Sequence, residues 1–366
     1  MKKILFCAST VSHIINFHIP YIREFHKNGY EVHVAVNEKT PIECVDKVIQ
    51  IPFLKKIISI RNLCNIVKLR RLLLTEEYDK VSSNTTLAGI IIRLSAIFLK
   101  RRPKIYHIVH GYHFSTNSGL KKYIYLIPEK IASLVSDKVL VMNMEDYELA
   151  KKYKLYKDEL HLIDGIGISD KRFYIPSTEE SAKIRDSMGI EVNEIVFTYA
   201  AEFSKRKNQK LLIRAFSKCG FDNGLLLLAG DGSELDYCKN LAVKLKIENK
   251  VRFLGFVEDI PRLYSASDII VSTSLSEGMP FNILEAMGCG LPVIASNIKG
   301  HRELIKNNVN GLLFESNNMD QLVRCLKLLY FSEKCQLERM GMIGREYVRK
   351  YTLQNVLPQI MGIYLS

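Results

Sequence analysis

Two carboxylates, Glu277 and Glu285, are separated by seven residues, Gly278-Met279-Pro280-Phe281-Asn282-Ile283-Leu284. The run Ile269-Ile270-Val271-Ser272 before them reads as a strand. A helix is expected to open at Pro280 or Phe281, because proline at a first helical position has no amide hydrogen to lose. First-turn amides and the helix dipole favour an anion by about 0.3–1 kcal/mol per exposed charge. Glu277 would sit at the tip beside that anion, and Glu285 roughly one and a half turns along the helix. Acids so placed suit hydroxyl recognition at the two ends of a diphosphate. Taken singly, each reads equally well as a solvated surface glutamate.

Other polar groups stand where strands end. Lys205, Arg206 and Lys207 follow the strand-like Ile195–Ala200, Gly230-Asp231-Gly232 follow Leu225–Ala229, and His110-Gly111-Tyr112-His113 follow Lys104–Val109. Open parallel sheets bind ligands outside the carboxyl ends of their strands. Lys207 is therefore favoured as a phosphate ligand over a member of a solvated cationic run. His110 is a candidate against the plainer reading of a histidine that caps a turn.

The elements that must carry these loops alternate between strand and helix. Lys3–Ala8, a polar loop over 9–13, a helix over Asn16–Asn28 closed by Gly29, and the strand Glu31–Val36 make a βαβ unit, hence a parallel sheet with a right-handed crossover. The pattern restarts near residue 195 after a Gly/Pro-bearing linker at 165–177. A chain of 366 residues exceeds what one core usually supports. Two α/β domains are expected, 1–168 and 169–349, with a terminal helix over 350–366 able to pack back on the first. The eight cysteines are scattered, without metal-ligand or disulfide spacing, so reduced thiols in a cytoplasmic protein are expected and no metal site.

Residues 1–170 hold 26 Lys/Arg against 17 Asp/Glu (+9), and 171–366 hold 26 against 22 (+4). A basic first half points to an anionic partner. Lys55, Lys56, Arg61, Lys68, Arg70 and Arg71 alternate with apolar residues over Phe53–Leu74. That stretch reads equally as a basic amphipathic helix on an anionic membrane surface or as a core-packed helix with a solvated face. Lys100-Arg101-Arg102-Pro103-Lys104 adds a second basic cluster. No apolar run is long enough to span a bilayer.

The run Glu277–Ser296, ending in Leu-Pro-Val-Ile-Ala-Ser, resembles the signature of family-4 retaining glycosyltransferases. Ala229–Glu234 resembles that family's Gly-x-Gly turn, Val251–Val257 its strand ending at the nucleotide base, and Leu263–Asp268 the segment before the signature. The resemblance is strong over about 195–315 and looser before, and within the family it is nearest to the exopolysaccharide, capsule and O-antigen branch. It implies a GT-B fold: two Rossmann-like doubly wound domains facing a cleft. It implies that Glu285 binds the donor ribose, that Glu277 and the backbone of Gly278, Met279, Pro280, Phe281 and Asn282 hold donor sugar and phosphate, and that Phe256 and Val257 meet the base. Gly230 and Arg206 join the donor set, His110 lies near the transferred sugar, and His13, His18 and His113 fall on the acceptor side. The absence of an Asp-x-Asp pair agrees with metal-independent catalysis and no cofactor.

The sequence departs from the family at two loops. Glu202 stands where an arginine is usual, so either Lys205 or Arg206 takes over the phosphate, or Glu202 orients a sugar hydroxyl or Lys207. Ser12-His13-Ile14-Ile15-Asn16-Phe17-His18 replaces the Gly-Gly loop after the first strand. The expected activity is retaining transfer from a nucleotide-sugar donor, a UDP-sugar, to a polyprenyl-diphosphate-linked glycan acceptor in surface polysaccharide synthesis, peripheral to the inner face of a bacterial plasma membrane. The alternatives are a nucleotide-sugar 2-epimerase of the same fold and a non-catalytic binder of sugar nucleotides or anionic polymers. Nucleic acid is disfavoured because no basic-aromatic interleaving is present. A dehydrogenase is disfavoured because no Gly-x-Gly-x-x-Gly follows the first strand.

Overall fold

The computed structural model describes residues 1–54, 59–114 and 119–366. They form two compact units, Met1–Gly167 with Gln354–Ser366, and Ile168–Leu353.

The first unit holds strands β1 (Lys2–Cys7), β2 (Tyr30–Val36), β3 (Lys47–Gln50), β4 (Lys80–Asn84), β5 (Lys104–Val109), β6 (Lys138–Val141) and β7 (Glu159–Leu162). All pair in parallel in the order β3-β2-β1-β4-β5-β6-β7. Helices on both faces bury the central strands, so Ile4, Leu5 and Phe6 are fully enclosed and read as an unbroken apolar run. The edge strands β3 and β7 escaped the sequence reading because each has four residues and only half-buried centres. The terminal helix Leu353–Leu365 packs on this sheet. Its Tyr364 is buried, sharing a hydrogen bond with Ser82 (Oη–Oγ 2.6 Å), while Tyr106 donates to the Tyr364 carbonyl at 3.0 Å.

Three expectations change here. The loop placed at 9–13 is helical from Val11, where the Thr10 hydroxyl accepts from the His13 amide, and a second helix, Ile19–Lys27, starts after a break at His18. Pro20 at the head of the second helix explains the break, since it has no amide to continue the first. The helix expected over Phe53–Leu74 is observed as Ile60–Glu76, while Lys55, Lys56, Ile57 and Ile58 lie outside the described residues. Within the second basic cluster, Arg102 is committed to Asp137 through two 2.6 Å hydrogen bonds.

The second unit holds β8 (Ile195–Ala200), β9 (Gly224–Ala229), β10 (Val251–Gly255), β11 (Ile269–Ser272), β12 (Val293–Ser296) and β13 (Gly311–Phe314). They form a parallel sheet ordered β10-β9-β8-β11-β12-β13. In each sheet the order of strand addition reverses once, between β1 and β4 and between β8 and β11. The carboxyl ends of these strands are the expected ligand sites of a doubly wound fold. Among the described residues, no helix is long and apolar enough to cross a membrane.

Candidate active site

At the reversal of the second sheet, the loops after β8 and β11 meet. The Lys207 carbonyl accepts from the hydroxyls of Tyr199 and Thr273, both at 3.1 Å, and the Leu275 amide donates to the Arg206 carbonyl at 2.8 Å. These bonds fix the backbone from which two cations reach one carboxylate. Lys207 Nζ donates to Glu277 Oε1 at 2.6 Å, and an Arg206 guanidinium nitrogen lies 2.9 Å from Glu277 Oε2. The same nitrogen donates to the Ser276 carbonyl at 3.0 Å. Burial acts to raise the Glu277 carboxyl, but Lys207 and Arg206 together outweigh it and hold the group below its ordinary value.

A third strand end supports this arrangement from beneath. His301 lies between Ser272 (3.3 Å to Oγ) and the Ser296 carbonyl (2.7 Å), and burial lowers it to about 4, so it is neutral. A Cβ on the adjoining Gly300 would stand 2.7 Å from the Gly278 carbonyl, so only glycine lets the two loops approach. Sequence reasoning missed this pair. Its one legible signal was a Gly-His step just past the β12 strand end.

The helix after Glu277 spans Phe281–Gly288 with Pro280 as its N-cap rather than its first residue. Ile283 and Leu284 already donate to the Pro280 carbonyl, both at 3.1 Å, so the first turn closes on the proline. Asn282 is turned to the sheet, where its side-chain amide donates to the Ala200 carbonyl at 3.2 Å, and Met279 is buried. Glu285 is half-buried, and among the described residues no side chain or amide bonds its carboxyl. Burial raises it to about 7, against a small opposing pull from Arg172.

Gly230 adopts φ +135°, and a Cβ there would stand 2.2 Å from the Ala201 carbonyl. The turn after β9 therefore supports the Lys207 loop from the side. Phe256 is 72% exposed just past β10, while Val257 is half-buried against the Leu225–Leu263 core. Glu202 is exposed, and because the Lys207 ammonium goes to Glu277, Glu202 does not orient it.

In the first unit three of the expected histidines come together. His13 on the first helix, His18 at the helix break and His110 after β5 each bring a ring nitrogen within 4.8 Å of the others. Burial lowers His13 to about 4 and holds His18 and His110 well below the ordinary value, so all three are neutral. His113 does not join them, being exposed with its ring 5.5 Å from that of Tyr125.

Residues 180–347 match the family model described as "Glycosyl transferases group 1", and residues 21–164 that described as "Glycosyltransferase Family 4". The chain is 33% identical over 368 residues to a Bacillus subtilis protein named as glycosyltransferase EpsD, covering 99% of this chain and 96% of that one. The chain is a family-4 glycosyltransferase. It is also 32% identical to an Escherichia coli UDP-Gal:alpha-D-GlcNAc-diphosphoundecaprenol alpha-1,3-galactosyltransferase, over 75% of this chain and 73% of that one. The crystal structure of HepE from Anabaena with UDP and glucose superposes with a TM-score of 0.81 at 22% identity, covering 100% of both chains, which establishes the GT-B fold for this glycosyltransferase. The family was therefore legible in the Glu277–Ser296 signature, and its polysaccharide-biosynthesis branch in the likeness of the loops at His13–His18, His110–His113 and Glu202–Asn208.

Proposed function

We propose that this glycosyltransferase moves a sugar, with retention of anomeric configuration, from a UDP-sugar to a polyprenyl-diphosphate-linked glycan at the inner face of a bacterial plasma membrane. The observation that carries the donor half is the Lys207–Glu277–Arg206 cluster past the carboxyl ends of β8 and β11, with Lys207 and Glu277 largely enclosed and Arg206 exposed. Phosphate outcompetes a carboxylate for guanidinium and ammonium because it offers more charge and more acceptor oxygens. When the donor diphosphate arrives, Lys207 and Arg206 turn to it. Glu277 is then freed to accept from the sugar hydroxyls without leaving its loop. No metal is needed at this site, because two cations and the head of the Phe281–Gly288 helix supply the charge that stabilises the departing diphosphate.

Glu285 suits the ribose, since its carboxyl has no protein partner and can accept from two hydroxyls. Phe256 offers an exposed ring face to the base. The leaving phosphate oxygen takes the acceptor proton, so no side chain is assigned as general base. The Escherichia coli relative, named for a UDP-sugar donor and a diphosphoundecaprenol acceptor, supports both substrate classes. The membrane setting is supported by the helix Ile60–Glu76, whose Ile60, Leu63, Val67 and Leu74 point outward while Asn62 and Asn65 are buried. Leu120, Ile124, Ile127, Ile131 and Leu134 add a second exposed apolar stripe.

Calorimetric titration with UDP tests the donor assignments. Lys207→Ala and Glu285→Ala are each expected to weaken binding by about 1.5–3 kcal/mol, or tenfold or more, the cost of losing a hydrogen bond to a charged group. Incubation with labelled UDP-sugars and a polyprenyl-diphosphate glycan, followed by NMR of the new anomeric carbon, tests the reaction. Wild-type UDP affinity in both variants, or a product of inverted configuration, would overturn the reading.

A further inference from the structure

β8 and β9 lie side by side, so the helices that follow them, Gln209–Cys219 and Leu235–Lys244, pack as neighbours. Between them, where Met319 opens the helix Met319–Tyr330, lies a surface groove of about 490 Å³. That volume falls within the roughly 300–1,000 Å³ of small-ligand sites. Its floor is apolar: Leu241 is buried in the core of the second unit, and Leu245 and Met319 pack half-buried against that core. Its rim is cationic, with Arg214 and Lys218 one turn apart on one helix and Lys244 on the other. Among the described residues neither Arg214 nor Lys244 forms an ion pair, and Lys218 reaches only Asp320, at 3.8 Å. Tyr237 is exposed on the rim, and its hydroxyl accepts from Arg214 at 3.3 Å, leaving its own hydrogen for another acceptor.

We propose that this groove binds a single-chain lipid phosphate, an apolar chain with a phosphate monoester head. The floor takes the chain, whose methylenes leave water against Leu241, Leu245 and Met319. The rim takes the head. A phosphate monoester carries about −1.5 to −2 charge at pH 7 and three acceptor oxygens, matching an arginine fork, two ammoniums and the Tyr237 hydroxyl. A neutral lipid leaves those cations without a counter-charge, and a bare anion leaves the floor wet. The groove is separate from the donor loop. Lys207 stands just before the helix Gln209–Cys219, and at 1.5 Å per residue Arg214 and Lys218 lie about 8–14 Å along it from its head. Arg214, Lys218, Tyr237 and Lys244 have no part in the donor site, so the inference does not rest on the transfer reading.

Calorimetric titration of the full-length protein with decyl phosphate, kept below its micelle concentration and with UDP saturating, is the direct test. One equivalent is expected to bind, about tenfold or more tighter than decanol or inorganic phosphate under the same conditions. Arg214→Glu with Lys244→Glu should weaken decyl phosphate about tenfold or more, through lost hydrogen bonds to a charged head, and leave decanol and UDP binding unchanged. Arg71→Glu, on an exposed helix of the first unit, should bind decyl phosphate like wild type. If the double variant does not fold, hydrogen exchange of the wild type must show decyl phosphate protecting Gln209–Cys219 and Leu235–Lys244. Decyl phosphate bound no tighter than decanol, wild-type affinity in the double variant, loss of binding on Arg71→Glu, or protection confined to other helices would each overturn the site. Absence of UDP binding bears on the donor assignments alone, and the groove is then judged by the same titrations without UDP.

Discussion

At the scale of single residues, the donor half sets two acids from one motif in opposite electrostatic conditions. Glu277 is held ionised by two cations, whereas burial without a partner pushes Glu285 up to about 7 from an ordinary value of 4.5. Between those two pH values the folded protein keeps a proton on Glu285 that the unfolded chain releases. Stability from this group is therefore greatest below the unfolded value, falls as pH rises toward 7, and is level above it. Glu285→Gln removes the penalty. Its melting temperature should exceed that of wild type at pH 8 and converge with it near pH 4.5. At about 1.4 kcal/mol per pH unit the gain is capped at about 3.5 kcal/mol, and water around the half-buried carboxyl reduces it. Thermal melts across pH check this, and a gap that does not change with pH contradicts it. The contrast between the two acids was not legible in the sequence, because their spacing says nothing of what lies above each one. Arg93 teaches the same lesson. In sequence it interrupts an apolar helix, but in the fold it is fully buried and holds Glu129 with bonds of 2.6 and 2.9 Å.

At the scale of elements, the central strands were legible because burial on both faces makes them continuous apolar runs such as Leu225–Leu228. The edges β3 and β7 were not, since their half-buried centres carry no continuous apolar run, whereas the equally short but fully buried β11 and β12 do. The site loops followed from the strand ends, but their mutual support did not. The Gly230 turn braces the Lys207 loop only because β9 lies beside β8. Gly230→Ala must therefore displace that loop, with a Cβ otherwise 2.2 Å from the Ala201 carbonyl and an unfavourable positive φ. A loss of about 1–3 kcal/mol in stability is expected, together with weaker UDP binding. Denaturant unfolding and UDP titration of the variant measure the two effects. Unchanged UDP affinity in a destabilised variant would show that the turn supports the fold without positioning the phosphate ligands.

At the scale of the whole molecule, a +13 charge concentrated in the first half meets two exposed apolar stripes in the first unit. The helices that carry them, Ile60–Glu76 and Tyr123–Ala132, both pack against Thr86–Ala96 and so belong to one helical layer. The first helix buries Asn62, Asn65, Leu69 and Leu73 yet leaves Ile60, Leu63, Val67 and Leu74 outward, an exposed apolar stripe of the kind that marks an interaction surface. Exposed Arg61, Lys68 and Arg71 stand beside them, each adding about 1 kcal/mol near an anionic lipid surface. A fully inserted isoleucine contributes up to about 3 kcal/mol, so Ile124→Asp with Ile127→Asp should cost well over the roughly 1.4 kcal/mol of a tenfold change. Wild type is expected to float with phosphatidylglycerol-containing vesicles, less with neutral ones, and to be only partly released by salt, because the apolar term is not screened. The double variant should remain at the bottom of the gradient while binding UDP normally, since neither position touches a donor group. Equal flotation of wild type and double variant, or recovery independent of vesicles, would leave the stripes without a membrane role and require another partner to cover them.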